Sequence, residues 1–351
     1  MRCFIKQFDK LEFEYHLAFG IWHLAFERQL ALKGGDFMKD TAKYILLGAG
    51  AAAGAMLAAS AAVSASFLGI ALDRKSRAAT LCRKHIAGSE SWQAFAAPME
   101  EAARLLRRSG VQRITLTARD GISLAGFFYE HPAPRRVVVA MHGWRSSWDQ
   151  DFGLIAPFLR ENGCSVLFAQ QRAQGESGGD TMTFGLMERF DCADWVRWAQ
   201  EETGLPVYLA GISMGATTVL LAGAECAVQG IIADCGYTSP TEIWRHVAKN
   251  NLHLRYGLCS PWVKLLCKRR YLQGLEGLST VKALGKSRTP VLLIHGTADT
   301  FVPVEMSYEN YLACRGPRQL LIVPGAGHGM SYLTEPEKYK QAVLQFWQNY
   351  G

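Results

Sequence analysis

The amino-acid sequence predicts an α/β fold: a doubly wound, mostly parallel sheet of the eight-stranded type, with a helical cap insertion and an N-terminal hydrophobic helix. From Val111 onward, short apolar runs alternate with longer stretches of helical periodicity. Glycine-rich polar segments follow several of these runs, at the positions where ligands bind in such sheets. Before Val111, an uncharged apolar segment at residues 44–72 stands apart from the rest of the chain.

The composition fits one catalytic domain with an N-terminal appendage. Of 351 residues, 49% are hydrophobic and 20% are charged, which permits a large core and excludes global disorder. The net charge is +7, but there is no aromatic-basic platform or helix-turn-helix pattern, so no nucleic-acid partner is predicted. Nine cysteines without a C-x-x-C pair favour free thiols in a reducing compartment. We predict no structural metal and no cofactor.

Residues 44–72 predict a transmembrane helix. The segment carries no charge, and a hydrocarbon core of about 30 Å needs roughly 20 residues. A signal peptide and a buried Ala-rich helix are the alternatives, although the segment exceeds the usual apolar region of about 7–15 residues in a signal peptide. Basic residues flank both ends, so charge does not orient the helix. The cysteine usage favours a cytoplasmic catalytic domain.

Two further segments surround this helix. Residues 1–43 form an N-terminal extension, and Met38-Lys39 before the apolar run is typical of a natural start, so residues 1–37 are hypothesised to arise from a misassigned start codon. Residues 73–110 form a basic connector. Apolar positions at helical spacing predict a helix from Trp92 to Arg108 that packs on the catalytic domain.

Residues 111–351 are predicted to form the catalytic domain. Asp120-Gly121 lies between two alternating runs and predicts a hairpin. The predicted strands are 113–117, 123–129, 137–141, 165–169, 207–210, 230–233, 291–294 and 319–323. The predicted helices between and after them are 151–162, 185–203, 214–228, 305–315 and 335–349.

The strongest chemical motif is Gly211-Ile212-Ser213-Met214-Gly215, which follows the predicted strand 207–210. It matches the G-x-S-x-G nucleophile elbow, in which a sharp strand-to-helix turn presents a serine. Such a turn leaves room only for small neighbours, and the flanking glycines meet that requirement. Ser213 is therefore the predicted nucleophile.

A serine needs a histidine to accept its proton, and the histidine needs an acid that fixes its tautomer. His328 lies in a glycine-rich segment after the last predicted strand, and Asp299 follows the strand before it. The order Ser, Asp, His is that of a nucleophile-elbow triad. Asp234, directly after the strand 230–233, is a competing acid, and Asp299 is preferred.

The segment His142-Gly143-Trp144 follows the strand 137–141. An oxyanion hole needs two backbone N–H groups aimed at the developing negative charge. We predict that Met214, the residue after the nucleophile, and Trp144 supply them. His142 is predicted to orient this loop and not to act as a base.

Together these motifs resemble the α/β-hydrolase superfamily, in particular membrane-tethered bacterial serine acyl hydrolases related to the prolyl-oligopeptidase and dienelactone-hydrolase branches. The resemblance covers residues 111–351. It implies the α/β-hydrolase fold and the Ser213, Asp299 and His328 triad. One departure is Gln170, where such relatives carry an acid before Arg172. This departure leaves the partner of Arg172 open.

The insertion at about residues 237–289 is predicted to form the helical cap. It is rich in aromatic and aliphatic residues, which fits either an acyl substrate or simple core packing. Its basic run Lys268-Arg269-Arg270 fits lipid head groups, anionic substrates or a solvated face.

The predicted function is hydrolysis of a small-molecule or lipid-like carboxylic ester through an acyl-enzyme, with membrane association. A serine peptidase of the prolyl-oligopeptidase type is the alternative, but no propeller-sized N-terminal domain is present. A non-catalytic membrane-anchored binding module is a third possibility. The natural substrate and the oligomeric state stay open.

Overall fold

The computed structural model describes residues 37–79, 90–251, 255–269, 272 and 274–350. The predicted extension up to residue 36 and Arg270 of the basic run lie outside these residues. The described helices are α1 Phe37–Leu72, α2 Glu90–Arg107, α3 Trp148–Phe152, α4 Ala156–Glu161, α5 Glu188–Thr203, α6 Met214–Gly223, α7 Pro240–His246, α8 Tyr256–Arg269, α9 Thr280–Leu284, α10 Glu305–Ala313, α11 Ser331–Thr334 and α12 Pro336–Tyr350.

One eight-stranded sheet runs in the order β1-β2-β4-β3-β5-β6-β7-β8. Its strands are β1 Gln112–Thr117, β2 Ser123–Tyr129, β3 Arg136–Met141, β4 Cys164–Ala169, β5 Val207–Ile212, β6 Gly230–Asp234, β7 Val291–Gly296 and β8 Arg318–Val323. β2 pairs antiparallel with β1 and β4, and all other pairs are parallel. The predicted α/β fold with a mostly parallel sheet is thus confirmed.

The order of the strands places the site. The chain crosses from β3 to β4 on one side and then returns to β5 on the other side of β3. In open α/β sheets, ligands bind beyond the carboxyl ends of the strands at such a switch point. The loop after β3 and the turn after β5 therefore face the same crevice.

Helices cover both faces of the sheet, so its central strands are apolar throughout. β4 is buried at every position. One core combines Phe168 and Tyr208 of the sheet with Phe346 of α12. The core on the other face combines Leu209 with Trp195 of α5 and Leu220 of α6.

One predicted helix is wrong in its extent. The expected single helix over 151–162 is divided into α3 and α4, with a turn at 153–155. Gly153 lies in this turn against the backbone of α2, where an added Cβ would lie 2.9 Å from the Ala103 nitrogen. The interruption between α3 and α4 thus lies where the chain packs closely against α2.

The cap lies between β6 and β7. It contains α7, a π-helical turn at Val247–Asn251, α8, a short 3₁₀ turn at Leu275–Gly277, and α9. Its apolar cluster includes Trp244 and Val263, and it also includes Leu68 and Leu72 from the end of α1. The cap and α1 therefore share a core.

The N-terminal helix has two different environments. Among the described residues, Lys43–Leu72 is the one helix long and apolar enough to cross a membrane by length and composition. Leu46 is 73% exposed and Leu57 is 58% exposed, whereas Leu68 is 1% exposed. The segment predicted to span a membrane is therefore most exposed in its first part, and it becomes buried on one side toward Leu72.

Arg172 has partners in the structure, which answers the question that Gln170 raised. Its guanidinium bonds both carboxylate oxygens of Asp191, at 2.5 and 2.6 Å, and Asp120 at 2.8 Å. Gln170 Oε1 instead accepts the Glu176 amide at 2.9 Å. A buried guanidinium needs such paired acceptors, and two acids distant in sequence supply them.

Candidate active site

Ser213 occupies a sharp turn between β5 and α6. Its φ of 56° and ψ of −116° are unusual for a residue other than glycine. Its amide donates to the Asp234 carbonyl oxygen at 2.8 Å, which fixes the turn. An added Cβ on Gly215 would overlap the Met141 carbonyl, and one on Gly211 would overlap Gly215 itself. The turn thus requires both glycines, as the sequence pattern predicts.

A continuous hydrogen-bond chain joins Ser213, His328 and Asp299. His328 Nε2 lies 2.9 Å from Ser213 Oγ, and His328 Nδ1 lies 2.7 Å from Asp299 Oδ2. Since a carboxylate only accepts, Nδ1 carries the proton and Nε2 is left to accept from the serine hydroxyl. The loops after β7 and β8 bring these side chains to the elbow.

The Asp299 carboxylate is held from several sides. Its Oδ1 accepts the amides of Phe301 and Val302 at 2.9 and 2.8 Å. Its Oδ2 also faces His295 Nε2 at 3.1 Å. Burial raises the pKa of Asp299, but His328, His295 and the Val302 amide outweigh burial and hold the pKa below its usual range. Asp299 is therefore ionised at neutral pH.

His295 is a residue of the site that the sequence analysis did not single out. It is fully buried, and its Nε2 lies 2.9 Å from the Val302 carbonyl oxygen, which only accepts. Nε2 therefore carries the proton and also points it toward Asp299. Nδ1 accepts from Ser307 Oγ at 2.6 Å. Its position four residues before Asp299 was the available signal.

Asp234, the competing acid, has a different role in the geometry. Its carboxylate accepts the Ser331 hydroxyl at 2.9 Å, whereas the carboxylate bonded to His328 is Asp299. Burial raises the pKa of Asp234 to about 6, against partial opposition from the Ser331 hydrogen bond. The structure thus separates two acids that the sequence left in competition.

His328 has one further neighbour that the sequence did not single out. Cys235 follows β6 with a φ of 49°, and burial raises the pKa of its thiol to about 11. Burial lowers the pKa of His328, but Cys235 and Asp299 together raise it well above its ordinary value. No local sequence signal marks Cys235, because its contact with His328 is long-range.

The loop after β3 lies against Ser213. An added Cβ on Gly143 would lie 3.5 Å from the Ser213 Cβ. The Gly143 amide donates to Asp151 Oδ2 at 2.6 Å, which anchors one side of the loop. Met214 is the first residue of α6, where an amide has no partner within the helix. Met214 directly follows the serine, and Trp144 follows Gly143 in the loop that lies against it. Their role as the two amide donors stays a prediction.

His142 holds this loop in place. Its Nε2 accepts the Gln171 amide at 3.1 Å, so its proton resides on Nδ1. Nδ1 donates to the Gly143 carbonyl oxygen at 2.9 Å. These bonds fit the predicted orienting role.

One group of side chains in the described part of the chain has the spacing to hold a metal ion: Cys235, Asp299 and His328, whose ligand atoms lie within 4.8 Å of one another. Asp299 and His328 already bond each other at 2.7 Å. An ion there would replace that bond, and the Cys235 thiol is neutral at pH 7. The arrangement is better suited to proton transfer than to metal binding.

Comparison with known proteins gives concordant matches. A sequence model described as the alpha/beta hydrolase family matches residues 137–342. The uncharacterized protein YqkD of Bacillus subtilis is 30% identical over 225 residues, covering 62% of this chain and 73% of YqkD. The uncharacterized protein YfhR of Salmonella typhimurium is 26% identical over 244 residues, covering 68% of this chain and 81% of YfhR.

Solved structures show the same fold. The Pyrococcus furiosus esterase Pf2001 superposes with a TM-score of 0.57 at 23% identity, over 69% of this chain and 93% of that protein. Est1E from Butyrivibrio proteoclasticus, solved with bound ferulic acid, gives a TM-score of 0.53 at 18% identity, over 68% and 98% of the two chains. At such identities the likeness concerns the fold alone.

Proposed function

Because the chain belongs to the α/β-hydrolase family, we propose that it is a serine hydrolase that cleaves carboxylic esters through an acyl-enzyme intermediate. The supporting observation is the hydrogen-bond chain from Ser213 through His328 to Asp299, with the serine on a strained elbow. Serine is a weak nucleophile alone, and this arrangement is the one that activates it.

The proposed reaction follows from the proton positions. Ser213 Oγ attacks the ester carbonyl carbon while His328 Nε2 takes the hydroxyl proton. The N–H groups of Met214 and Trp144 stabilise the resulting oxyanion. The intermediate collapses, and His328 returns the proton to the leaving alkoxide. A water molecule, deprotonated by His328, then attacks the acyl carbonyl carbon. The bond to Ser213 Oγ breaks, the serine oxygen recovers the proton from His328, and the carboxylic acid is released. Asp299 remains ionised throughout and stabilises the imidazolium.

Ester preference is supported by the neighbours and by the cap. The Pyrococcus furiosus protein is named an esterase, and Est1E is described with a bound aromatic acid. The Phe301 ring lies 5.1 Å from the His328 ring, and Phe184 packs with its ring 5.3 Å from that of Trp244 in the cap. Aromatic surroundings favour an apolar acyl group over a peptide backbone, which needs polar partners.

Membrane anchoring through α1 is part of the proposal. Residues 44–59 give about 24 Å of helix at ~1.5 Å per residue, less than a hydrocarbon core of about 30 Å. The following Ser60 hydroxyl bonds the Leu258 carbonyl oxygen of α8 at 2.7 Å. A span by α1 therefore brings the start of α8 to the membrane surface, where Leu258 is 68% exposed.

The catalytic domain is proposed to face the cytoplasm. The described cysteines, seven in number, are all free thiols, which suits a reducing compartment. Lys268 and Arg269 of the basic run are exposed at the far end of α8 from Leu258.

A substrate panel on the full chain in detergent micelles tests this proposal. p-Nitrophenyl esters of increasing acyl length are compared with peptide p-nitroanilides, with Ser213→Ala as the control. We expect turnover of the esters, little cleavage of the anilides, and loss of turnover in the control. Preferential anilide cleavage would favour the peptidase alternative. Full ester turnover by Ser213→Ala would refute the mechanism.

A further inference from the structure

The end of α1 is bonded to the catalytic domain through its backbone. An α-helix leaves its last four carbonyl groups without donors in the helix, and these need partners elsewhere. In α1 the first of them, Gly69, accepts the Asp73 amide at 3.1 Å. The last, Leu72, accepts the Met182 amide at 2.8 Å. The other two, Ile70 and Ala71, accept from side chains of the loop after β3.

Those side chains belong to Trp144 and Arg145. The Trp144 indole N–H donates to the Ala71 carbonyl oxygen at 2.8 Å, and Arg145 Nη2 donates to that of Ile70 at 2.9 Å. Arg145 also bonds the Asp73 carbonyl oxygen at 2.5 Å. Its cation thus lies at the negative end of the helix, where a positive charge is favoured.

The backbone at Arg145 indicates that these bonds hold the loop in shape. Its φ of 52° lies in the left-handed region, which a side chain other than glycine adopts at a cost. Such conformations persist when surrounding contacts over-determine them. Here the contacts are the carbonyl groups of α1 on one side and Asp151, which bonds the Gly143 amide, on the other.

We infer that the last turn of α1 positions the Trp144 backbone amide for its role in the oxyanion hole. The inference rests on the proposed function. Trp144 carries both the indole that bonds α1 and the backbone amide that follows Gly143. Holding the indole against α1 therefore also restricts the position of the amide. The apolar helix is then both the anchor and a support of the site, and the indole of Trp144 is a positioning group.

The test compares two Trp→Phe variants of the full chain in detergent micelles. Trp144→Phe keeps an aromatic ring near Phe184 but loses the bond to Ala71. Trp347→Phe is the matched control, because the Trp347 indole N–H has no acceptor within the described residues. The readouts are the second-order rate of Ser213 labelling by a fluorophosphonate, its pH midpoint, and kcat and KM for an ester.

A displaced donor reduces the rate without altering the base. A misplacement of about 1 Å can cost about 10²-fold, so we expect Trp144→Phe to lower the labelling rate and kcat roughly 10- to 100-fold. The pH midpoint and KM should not change, since His328 is untouched and a phenyl ring can still pack against the apolar cluster of the cap. Trp347→Phe should label at the wild-type rate, even if its melting temperature falls by as much or more.

Arg145→Lys provides a second variant if Trp144→Phe fails to fold. It keeps the charge at the helix end but loses the planar fork that reaches two carbonyl groups. A several-fold decrease in the labelling rate, with the pH midpoint unchanged, supports the inference. Wild-type labelling rates in the folded variants overturn it and leave the proposed function intact. A wild-type chain that is not labelled at Ser213 overturns both.

Discussion

Exchanging each of the two buried acids for its amide separates their roles. In Asp299→Asn, the side-chain oxygen must stay where Oδ1 is, since that atom accepts the Phe301 and Val302 amides. The new NH₂ group then takes the place of Oδ2 and faces His328 Nδ1, which lies 2.7 Å from Oδ2 in the wild-type chain. Two donors cannot face each other, so His328 shifts to the tautomer with its proton on Nε2. That tautomer cannot accept the serine proton.

The expected loss is about 10⁴-fold in kcat, close to the loss when an amide replaces the acid of a serine-protease triad and about 5.5 kcal/mol in activation free energy. Asp234→Asn is the matched control, because its oxygen can still accept the Ser331 hydroxyl. We expect this variant to retain kcat within about threefold of the wild type, since the hydrogen bond between His328 and Asp299 is unchanged. The assay is ester hydrolysis at saturating substrate and pH 8.

The outcome that would refute this reasoning is a reversal. If kcat fell several thousand-fold in Asp234→Asn while Asp299→Asn remained active, Asp234 would be the functional acid. Melting curves for both variants distinguish loss of chemistry from loss of fold. Asp299→Asn should remain folded enough to melt cooperatively, because its two backbone bonds persist.

Three further predictions concern pH, the elbow and the membrane. Since neutral His328 is the base and its pKa is raised above 6.5, the labelling rate should rise with pH through a midpoint above 6.5, and a midpoint below 6 would contradict this. Gly215→Ala should lower the melting temperature strongly because its Cβ overlaps the Met141 carbonyl, whereas Gly257→Ala, with open space, should not; equal melting temperatures would argue against the elbow geometry. A benzoylphenylalanine at Leu258 should crosslink to lipid in vesicles, while one at Leu312, 74% exposed on α10, should not; crosslinking at both positions or only at Leu312 would refute the proposed membrane surface.

The fold and the order of the site residues were predictable because their signals are local. Apolar runs mark strands buried on both faces, and the glycines around Ser213 reflect steric needs within five consecutive residues. The order Ser, Asp, His fits Asp234 as well as Asp299, so the choice of Asp299 was a preference that the sequence order alone did not decide. The geometry that separates them comes from the Phe301 and Val302 amides, which lie two and three residues beyond Asp299.

Long-range contacts explain what the sequence did not reveal. The Arg172 partners Asp120 and Asp191 lie on separate elements, so Gln170 alone suggested a missing partner. The bond from Trp144 to Ala71 joins groups 73 residues apart and uses a backbone carbonyl, which carries no sequence signature. For the same reason the end of α1 could not be told apart from the rest of the apolar segment.

The central claim is that Ser213 is a nucleophile activated by His328. Its most direct test is incubation of the full chain with a fluorophosphonate probe, followed by digestion and mass spectrometry of the modified peptide. The account predicts a single adduct on Ser213 that is absent from Ser213→Ala and at least about 10³-fold slower in His328→Ala, since removing a triad member costs several orders of magnitude. An unmodified chain, or labelling that persists in Ser213→Ala at the wild-type rate, would contradict it.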